Sequence, residues 1–198
     1  LPIVTVINKW DRVGREPLEL VDEIVSEIDL QPTPLYWPVG EAGDFRGLAH
    51  VDTEGSIDEY IHFTRTAGGS TIAPEEHYSP DEALAKEGDV WETALEEASL
   101  LLEDGAVHDQ QLFEQCITSP IIFASAMLNF GVHQILDTLC AIAPAPEGRA
   151  SDPKAVEVST AAMDEQREVG DDFSGVVFKV QAGMDKNHRD TLAFMRVV

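Results

Sequence analysis

"LPIVTVINKWDR", residues 1–12, joins an apolar run to a polar cluster within a dozen positions. Ile3, Val4, Thr5, Val6 and Ile7 are all branched at Cβ, which suits a strand covered on both faces in a parallel sheet. Asn8, Lys9 and Asp11 then fall at the carboxyl end of that strand, the end at which open α/β sheets bind ligands. Past the turn, Pro17 can take the first position of a helix, where its missing N–H costs nothing. Leu18, Val21, Val25 and Ile28 follow at helical spacing, with acids on the other side. The reading is strand, polar loop, amphipathic helix.

A second unit of the same kind lies far along the chain. Ile121-Ile122-Phe123 is again a buried-strand run, "FASAM" at 123–127 ends it on small residues, and Val132, Ile135, Leu136 and Leu139 recur at helical spacing until Pro144 and Pro146. The two units, 2–28 and 120–142, read as halves of one α/β sheet, with residues 31–117 inserted between them. Within the insert, "QPTPLYWPVG" (31–40) is extended and rich in proline. "FRGLAHV" and "SIDEYIHF" are strand-like around an Asp-Thr-Glu-Gly turn. Ser79-Pro80-Asp81-Glu82 has the form of an N-cap, a first-turn proline and a capping-box glutamate. Leu84, Trp91, Leu95, Ala98 and Leu102 then mark one face of a long helical stretch, irregular at Gly88, and a short helix is expected around 109–116.

Composition narrows the function. Thirteen basic against thirty-seven acidic residues give a net charge of −24, which argues against gripping a phosphate backbone unaided and favours basic partners or plain solubility. No run approaches the roughly 20 apolar residues of a membrane span, and no signal peptide is seen, so a cytoplasmic location is expected. Cys116 and Cys140 lack metal-ligand spacing and sit in apolar helical contexts, which reads as buried free thiols. His50, His62, His77, His108, His133 and His188 form no metal-binding spacing and are expected in surface or satisfied roles. No G-x-S-x-G supports a Ser-His-Asp site. The chain opens without Met and ends on "FMRVV", and is read as an internal piece of a longer protein.

Asn8-Lys9-x-Asp11 at a strand end can be an ordinary polar turn, or it can read guanine. Guanine presents two donors on one edge, N1–H and the 2-amino group, and the Asp11 carboxylate can accept both. Against adenine the same buried carboxylate would be left unpaired, at a cost of ~1–3 kcal/mol. The Asn8 amide can bridge loop and base while the aliphatic stem of Lys9 lies along the base face. Ser125-Ala126, small residues that let backbone N–H groups approach a ligand, can donate to guanine O6. No G-x-x-x-x-G-K-[ST] loop occurs, and no Asp-x-x-Gly falls where a magnesium-side switch would lie, so the groups that hold phosphates, Mg²⁺ and the attacking water are absent from these residues.

These motifs resemble the translational GTPases, the family that includes elongation factor G and peptide chain release factor 3. "INKWDR" resembles their fourth guanine-nucleotide motif, "ASAM" the fifth, "WPVG…FRGL" the opening of the insert of elongation factor G and its relatives, and "GVHQILDTLCAIAPAP" the helix closing their GTPase domain. "FSGVVFKVQAGMDKNHRDTLAFMRVV" (173–198) resembles the start of their β-barrel domain, in its release-factor-3 form. Trp10 stands where Leu or Met is usual, and Met127 where many GTPases have Lys. Residues 52–115 and the linker resemble the family poorly.

The resemblance implies an α/β fold: residues 1–150 as the C-terminal half of a P-loop-type GTPase domain with an α+β insert at about 31–117, 151–172 as an acidic linker, and 173–198 as the first strands of a β-barrel. Asn8, Lys9, Asp11, Ser125, Ala126 and Met127 would bind guanine, with no catalytic or metal residue in this piece. The complete protein would be a ribosome-dependent GTPase of translation termination, using GTP/GDP with Mg²⁺ and recycling peptide chain release factors, while the piece alone is expected to be inactive. A ribosomal stalk protein would dock on the acidic insert. The alternatives are an elongation-factor-G-like translocase or ribosome-protection GTPase, and a non-enzymatic acidic interaction domain.

Overall fold

The computed structural model describes residues 1–66, 72–145, 149–150, 166–167, 175–182 and 191–197. The chain divides into two compact units, Leu1–Ala143 and Pro144–Val198. The first is a mixed α/β layer structure in which β1 (Thr5–Asn8), β2 (Gln31–Val39), β3 (Gly47–Val51), β4 (Ile57–Phe63), β5 (Glu75–Tyr78) and β6 (Thr118–Ala124) form one six-stranded sheet. The order is β1-β6-β2-β3-β4-β5. β1, β6 and β2 run parallel, with Thr5 opposite Ile121 and Asn8 opposite Ala124, whereas β3, β4 and β5 continue the sheet antiparallel.

The two strand–helix units therefore do meet side by side, as β1 and β6. The residues between them do not stand apart in space: β2 pairs directly with β6, and the next three strands extend the same sheet. Three prolines inside β2 are compatible with this position because the strand divides its neighbours. Gln31–Pro34 pair with β6 and Trp37–Val39 with β3, only Tyr36 being matched to both. Each half thus has a side on which a missing N–H breaks no ladder bond.

The helices are α1 (Pro17–Ile28), α2 (Pro80–Glu87), α3 (Asp89–Glu103), α4 (Gln110–Glu114) and α5 (Val132–Ile142). Ser79 and Glu82 close a capping box on α2, and the long helical stretch breaks at Gly88, whose φ of 58° separates α2 from α3. Asp109 caps α4 by accepting the Leu112 N–H. Trp37, Tyr60, Trp91, Phe123, Ile121 and Leu48 are completely or almost completely buried and supply most of the apolar area that drives folding of this unit.

Glu87, the last residue of α2, sits in this core with its side chain only 6% exposed. It accepts from Tyr60 Oη (2.9 Å) and Arg46 Nη1 (3.1 Å), and His62 Nδ1 lies 3.3 Å away. Burial, and secondarily the Glu87 charge, keeps the Tyr60 phenol neutral far beyond its ordinary range.

Six expectations need correction. β1 lies at the edge of its sheet and is not covered on both faces, Val6 and Ile3 being exposed. Leu84 of α2, expected on one apolar face with Trp91, is also exposed. Leu136 of α5 is 56% exposed and Leu139 is also exposed, whereas Gln134 and Thr138 are buried; Gln134 can take the inner face because its Nε2 donates to Glu75 on β5 at 3.1 Å. On α1 the apolar stripe is only partly used, with Val21 buried and Leu18 and Ile24 packed on the core, while Val25 and Ile28 face solvent. Cys116 and Cys140 are both exposed, the first in a left-handed turn residue after α4 (φ 59°) and the second on the outward side of α5. His108 is neither a surface histidine nor a satisfied one, since both ring nitrogens are enclosed and have no hydrogen-bond partner.

The second unit contains β7 (Arg149–Ala150) paired with β8 (Gln166–Arg167), and β9 (Gly175–Ala182) paired antiparallel with β10 (Thr191–Val197), with an irregularity at Phe194/Met195. Most of the expected linker and the loop carrying His188 lie outside the described residues. No helix among the described residues is long and apolar enough to cross a membrane.

Candidate functional site

At the carboxyl ends of β1 and β6, two loops from distant parts of the chain are laced together. Lys9 takes a left-handed conformation (φ 71°), an uncommon state for a residue with a side chain, and the Arg12 N–H closes the turn onto the Lys9 carbonyl at 3.0 Å. The turn is held from behind by Trp10. Its backbone N–H donates to the Ala124 carbonyl (3.1 Å), its carbonyl accepts from Gly43 N–H (2.9 Å), and its indole Nε1 donates to the Gly40 carbonyl (3.1 Å). The Trp10 ring is 3% exposed and meets Phe123 edge to face at 4.7 Å. Gly40 is required in this arrangement: at φ 95° a Cβ would collide with the Asp44 carbonyl oxygen.

With Trp10 anchored below, Asn8, Lys9 and Asp11 are left on the upper side. Asn8 Oδ1 accepts from the Lys9 N–H (2.8 Å) and, 118 residues away in sequence, from the Ala126 N–H (3.0 Å). Since the amide oxygen is engaged twice, the Asn8 NH₂ is the group available for a ligand. Asp11 is half-buried, and its Oδ1 accepts from the buried Ser125 hydroxyl at 2.5 Å. That bond fixes the carboxylate's orientation, so that its remaining lone pairs face a fixed direction.

The opposing loop is similarly closed. Ser125 and Phe130 exchange two backbone bonds (2.9 and 3.0 Å), and the Phe130 ring stacks on Phe63 at 4.9 Å in the core. Gly131 follows at φ 73°, where a Cβ would come within 2.7 Å of the Phe123 carbonyl oxygen. The Ser125 N–H is spent on Phe130 and the Ala126 N–H on Asn8. Ser125 acts here through its hydroxyl, as a positioning group for Asp11. Ala126 and Met127 are exposed at the rim.

All six residues singled out in the sequence thus lie on two adjoining loops. Sequence reading missed Trp10 as the anchor of the first loop. Its signal was available, since an indole set among polar residues at a strand end has a large apolar surface that must be covered somewhere. Among the described residues no group of three His, Cys, Asp or Glu side chains is placed to hold a metal ion.

Behind the Gly40 turn lies a cavity of about 250 Å³, between that turn and α3, edged by Glu41, Asp44, Arg46 and Glu97. Glu97 accepts from Trp37 Nε1 at 3.1 Å, and its burial raises the carboxyl above its ordinary value. This cavity shares the Gly40 segment with the Trp10 anchor, but Asn8 and Asp11 do not line it.

A crystal structure of a protein from Thermus thermophilus aligns with 100% of this chain at a TM-score of 0.55 and 17% identity, a likeness of fold. This chain spans 27% of that protein's length. The elongation factor Tu GTP binding domain matches residues 1–145, a stretch that contains both laced loops and every strand of the sheet, and the chain belongs to that family.

Proposed function

We propose that residues 1–143 read guanine in a ribosome-dependent translational GTPase, and that the protein works in translation termination, freeing peptide chain release factors from the ribosome. The observation that carries the guanine reading is the pair of cross-loop bonds, Asn8 Oδ1 to Ala126 N–H and Asp11 to the Ser125 hydroxyl. They hold an acceptor carboxylate and a donor amide at fixed positions at the parallel end of an α/β sheet, the arrangement that matches guanine's N1–H and 2-amino donors and its N7 acceptor. The termination role rests on the likeness of Gln181 to Val198 to release factor 3. The phosphates and Mg²⁺ of GTP would be held by groups outside these residues. The outward face of α3, with Glu92, Glu96 and Glu103 exposed, is the surface assigned to a basic patch on a ribosomal stalk protein.

Asp11→Asn in the complete protein tests the guanine reading. The amide replaces one acceptor by a donor, which suits the C2 carbonyl of xanthine. Ribosome-stimulated hydrolysis of GTP should fall by ~10- to 100-fold, the equivalent of one or two unmatched buried hydrogen bonds, and hydrolysis of XTP should appear. Unchanged GTP hydrolysis would show that Asp11 does not touch the base.

A further inference from the structure

A second opening, remote from the laced loops, is built from β2, β3, the segment before α4 and the C-terminal half of α5. It encloses about 370 Å³, within the range of small-ligand sites. Its walls are mainly apolar, with Leu35, Val51, Ala141 and Ile142 prominent, and one wall carries the Tyr36 and His50 rings at a centroid distance of 5.0 Å.

The permanently charged groups of this cavity are both acidic. Asp52 and Asp137 line it, and no Lys or Arg does. Asp52 spends Oδ1 on the N–H groups of Glu54 and Ser56 (2.8 Å each), which holds its carboxyl below the usual range and so keeps it ionised. His50 Nδ1 is engaged by Asp58 at 2.6 Å. Tyr36 stays a neutral phenol, its pKa pushed up to about 12 by burial and then by Asp137. Asp137 contacts His133 at 3.4 Å, and its side chain is 67% exposed.

His108 supplies the other unusual feature. It lines the same cavity, and neither of its ring nitrogens has a hydrogen-bond partner. A neutral imidazole carries one acceptor and one donor, and leaving both unmet in an enclosed place is costly. The His108 nitrogens are themselves enclosed and out of a ligand's reach, so the selection falls to the apolar walls, the tilted aromatic pair and the two carboxylates, which together suit an apolar body bearing a cationic head.

We propose that this cavity binds a small amphipathic amine, an aromatic or branched apolar body bearing a primary ammonium group, with the ammonium drawn to Asp137 and the body against the Tyr36–His50 wall. A free ligand is the occupant inferred, because separate segments of the chain supply the walls and the volume matches a molecule of that size.

The test uses the full 198-residue chain and tryptamine as the probe, followed by amide NMR shifts. Tryptamine should give saturable shifts at Val51, His108 and Ala141, while indole-3-acetate, with the same ring and the opposite charge, and butylamine, with the charge and little body, should bind at least ~10-fold more weakly. Asp137→Asn, a change on an exposed position, should weaken tryptamine about fivefold, the ratio expected of one partly solvated ion pair. Ala141→Phe should abolish the shifts by filling the space, with an otherwise unchanged spectrum showing that it folds. Equal binding of tryptamine and indole-3-acetate, binding indifferent to Asp137→Asn, or no saturable shift in the parent chain would each overturn the proposal. None of these outcomes depends on guanine recognition by Asp11.

Discussion

Replacing Glu87 by Ala should destabilise the first unit by about 2–3 kcal/mol, a figure assembled from the groups it serves. Two charge-assisted bonds are lost, from Tyr60 Oη at 2.9 Å and Arg46 Nη1 at 3.1 Å, each ordinarily contributing ~1.5–3 kcal/mol. One buried methylene, Cγ, goes with them, at ~0.8 kcal/mol. Three effects reduce the sum. Arg46 keeps Asp44, which accepts from Nε and Nη2 at 2.8 and 2.7 Å, and its side chain is 36% exposed, so its freed Nη1 reaches water. Tyr60 keeps a contact at 2.9 Å with His62 Nδ1, which can accept when the imidazole is neutral. Removing a negative charge from the end of α2 relieves an unfavourable helix-dipole interaction of ~0.3–1 kcal/mol. The net ~2–3 kcal/mol corresponds to a fall in Tm of roughly 5–10 °C for a chain of this length. Trp91, whose ring lies 5.4 Å from Tyr60, makes thermal unfolding readable by tryptophan fluorescence. A double-mutant cycle with Arg46→Met should show coupling of ~1 kcal/mol or more. A Tm change within about 2 °C together with no coupling would refute the idea that Glu87 pins α2 to the sheet.

Other expectations follow from the same geometry. Trp10→Ala should cost ~3–5 kcal/mol through lost burial and the cavity left behind, and Trp10→Phe ~1–2 kcal/mol through the smaller ring and the lost bond to Gly40; denaturant midpoints measure both, and equal costs would contradict the role given to the indole N–H. The stability of the first unit should also fall on acidification, because burial foremost, and then Lys86, hold His62 below its ordinary value of 6.5 against the opposing pull of Glu87 and Glu76. Below that value the unfolded chain binds a proton that folded His62 refuses, so stability drops with pH until the folded imidazole is itself protonated. His62→Gln should therefore lose less stability than the parent between about pH 7 and pH 5, and parallel pH profiles of the two proteins would sink the assignment.

Features encoded within a short window could be read directly from the sequence. The strand, turn and helix at residues 1–28 follow from a β-branched run, a polar break and a helical period of about 3.6 residues. The capping box at Ser79–Glu82 and the break at Gly88 are likewise local matters of one side chain and one φ angle. The candidate site residues were legible because their chemistry, an Asn and an Asp after one apolar strand and small residues after another, survives translation into a string of letters. What pairs with what did not. The contact of Asn8 with Ala126 spans 118 residues, and nothing in either loop specifies the other until β1 and β6 lie parallel. Only the sheet revealed that proline-rich β2 is an interior strand, since a proline is tolerated wherever its missing N–H faces no neighbour, a condition set by strand ends elsewhere in the chain. The same holds for α5, where hydropathy marks Leu136 and Leu139 as the inner face but Glu75 on β5 gives Gln134 a partner and turns the polar side inward. Periodicity reports which residues share a side; which side is buried depends on what the rest of the fold offers to cover it.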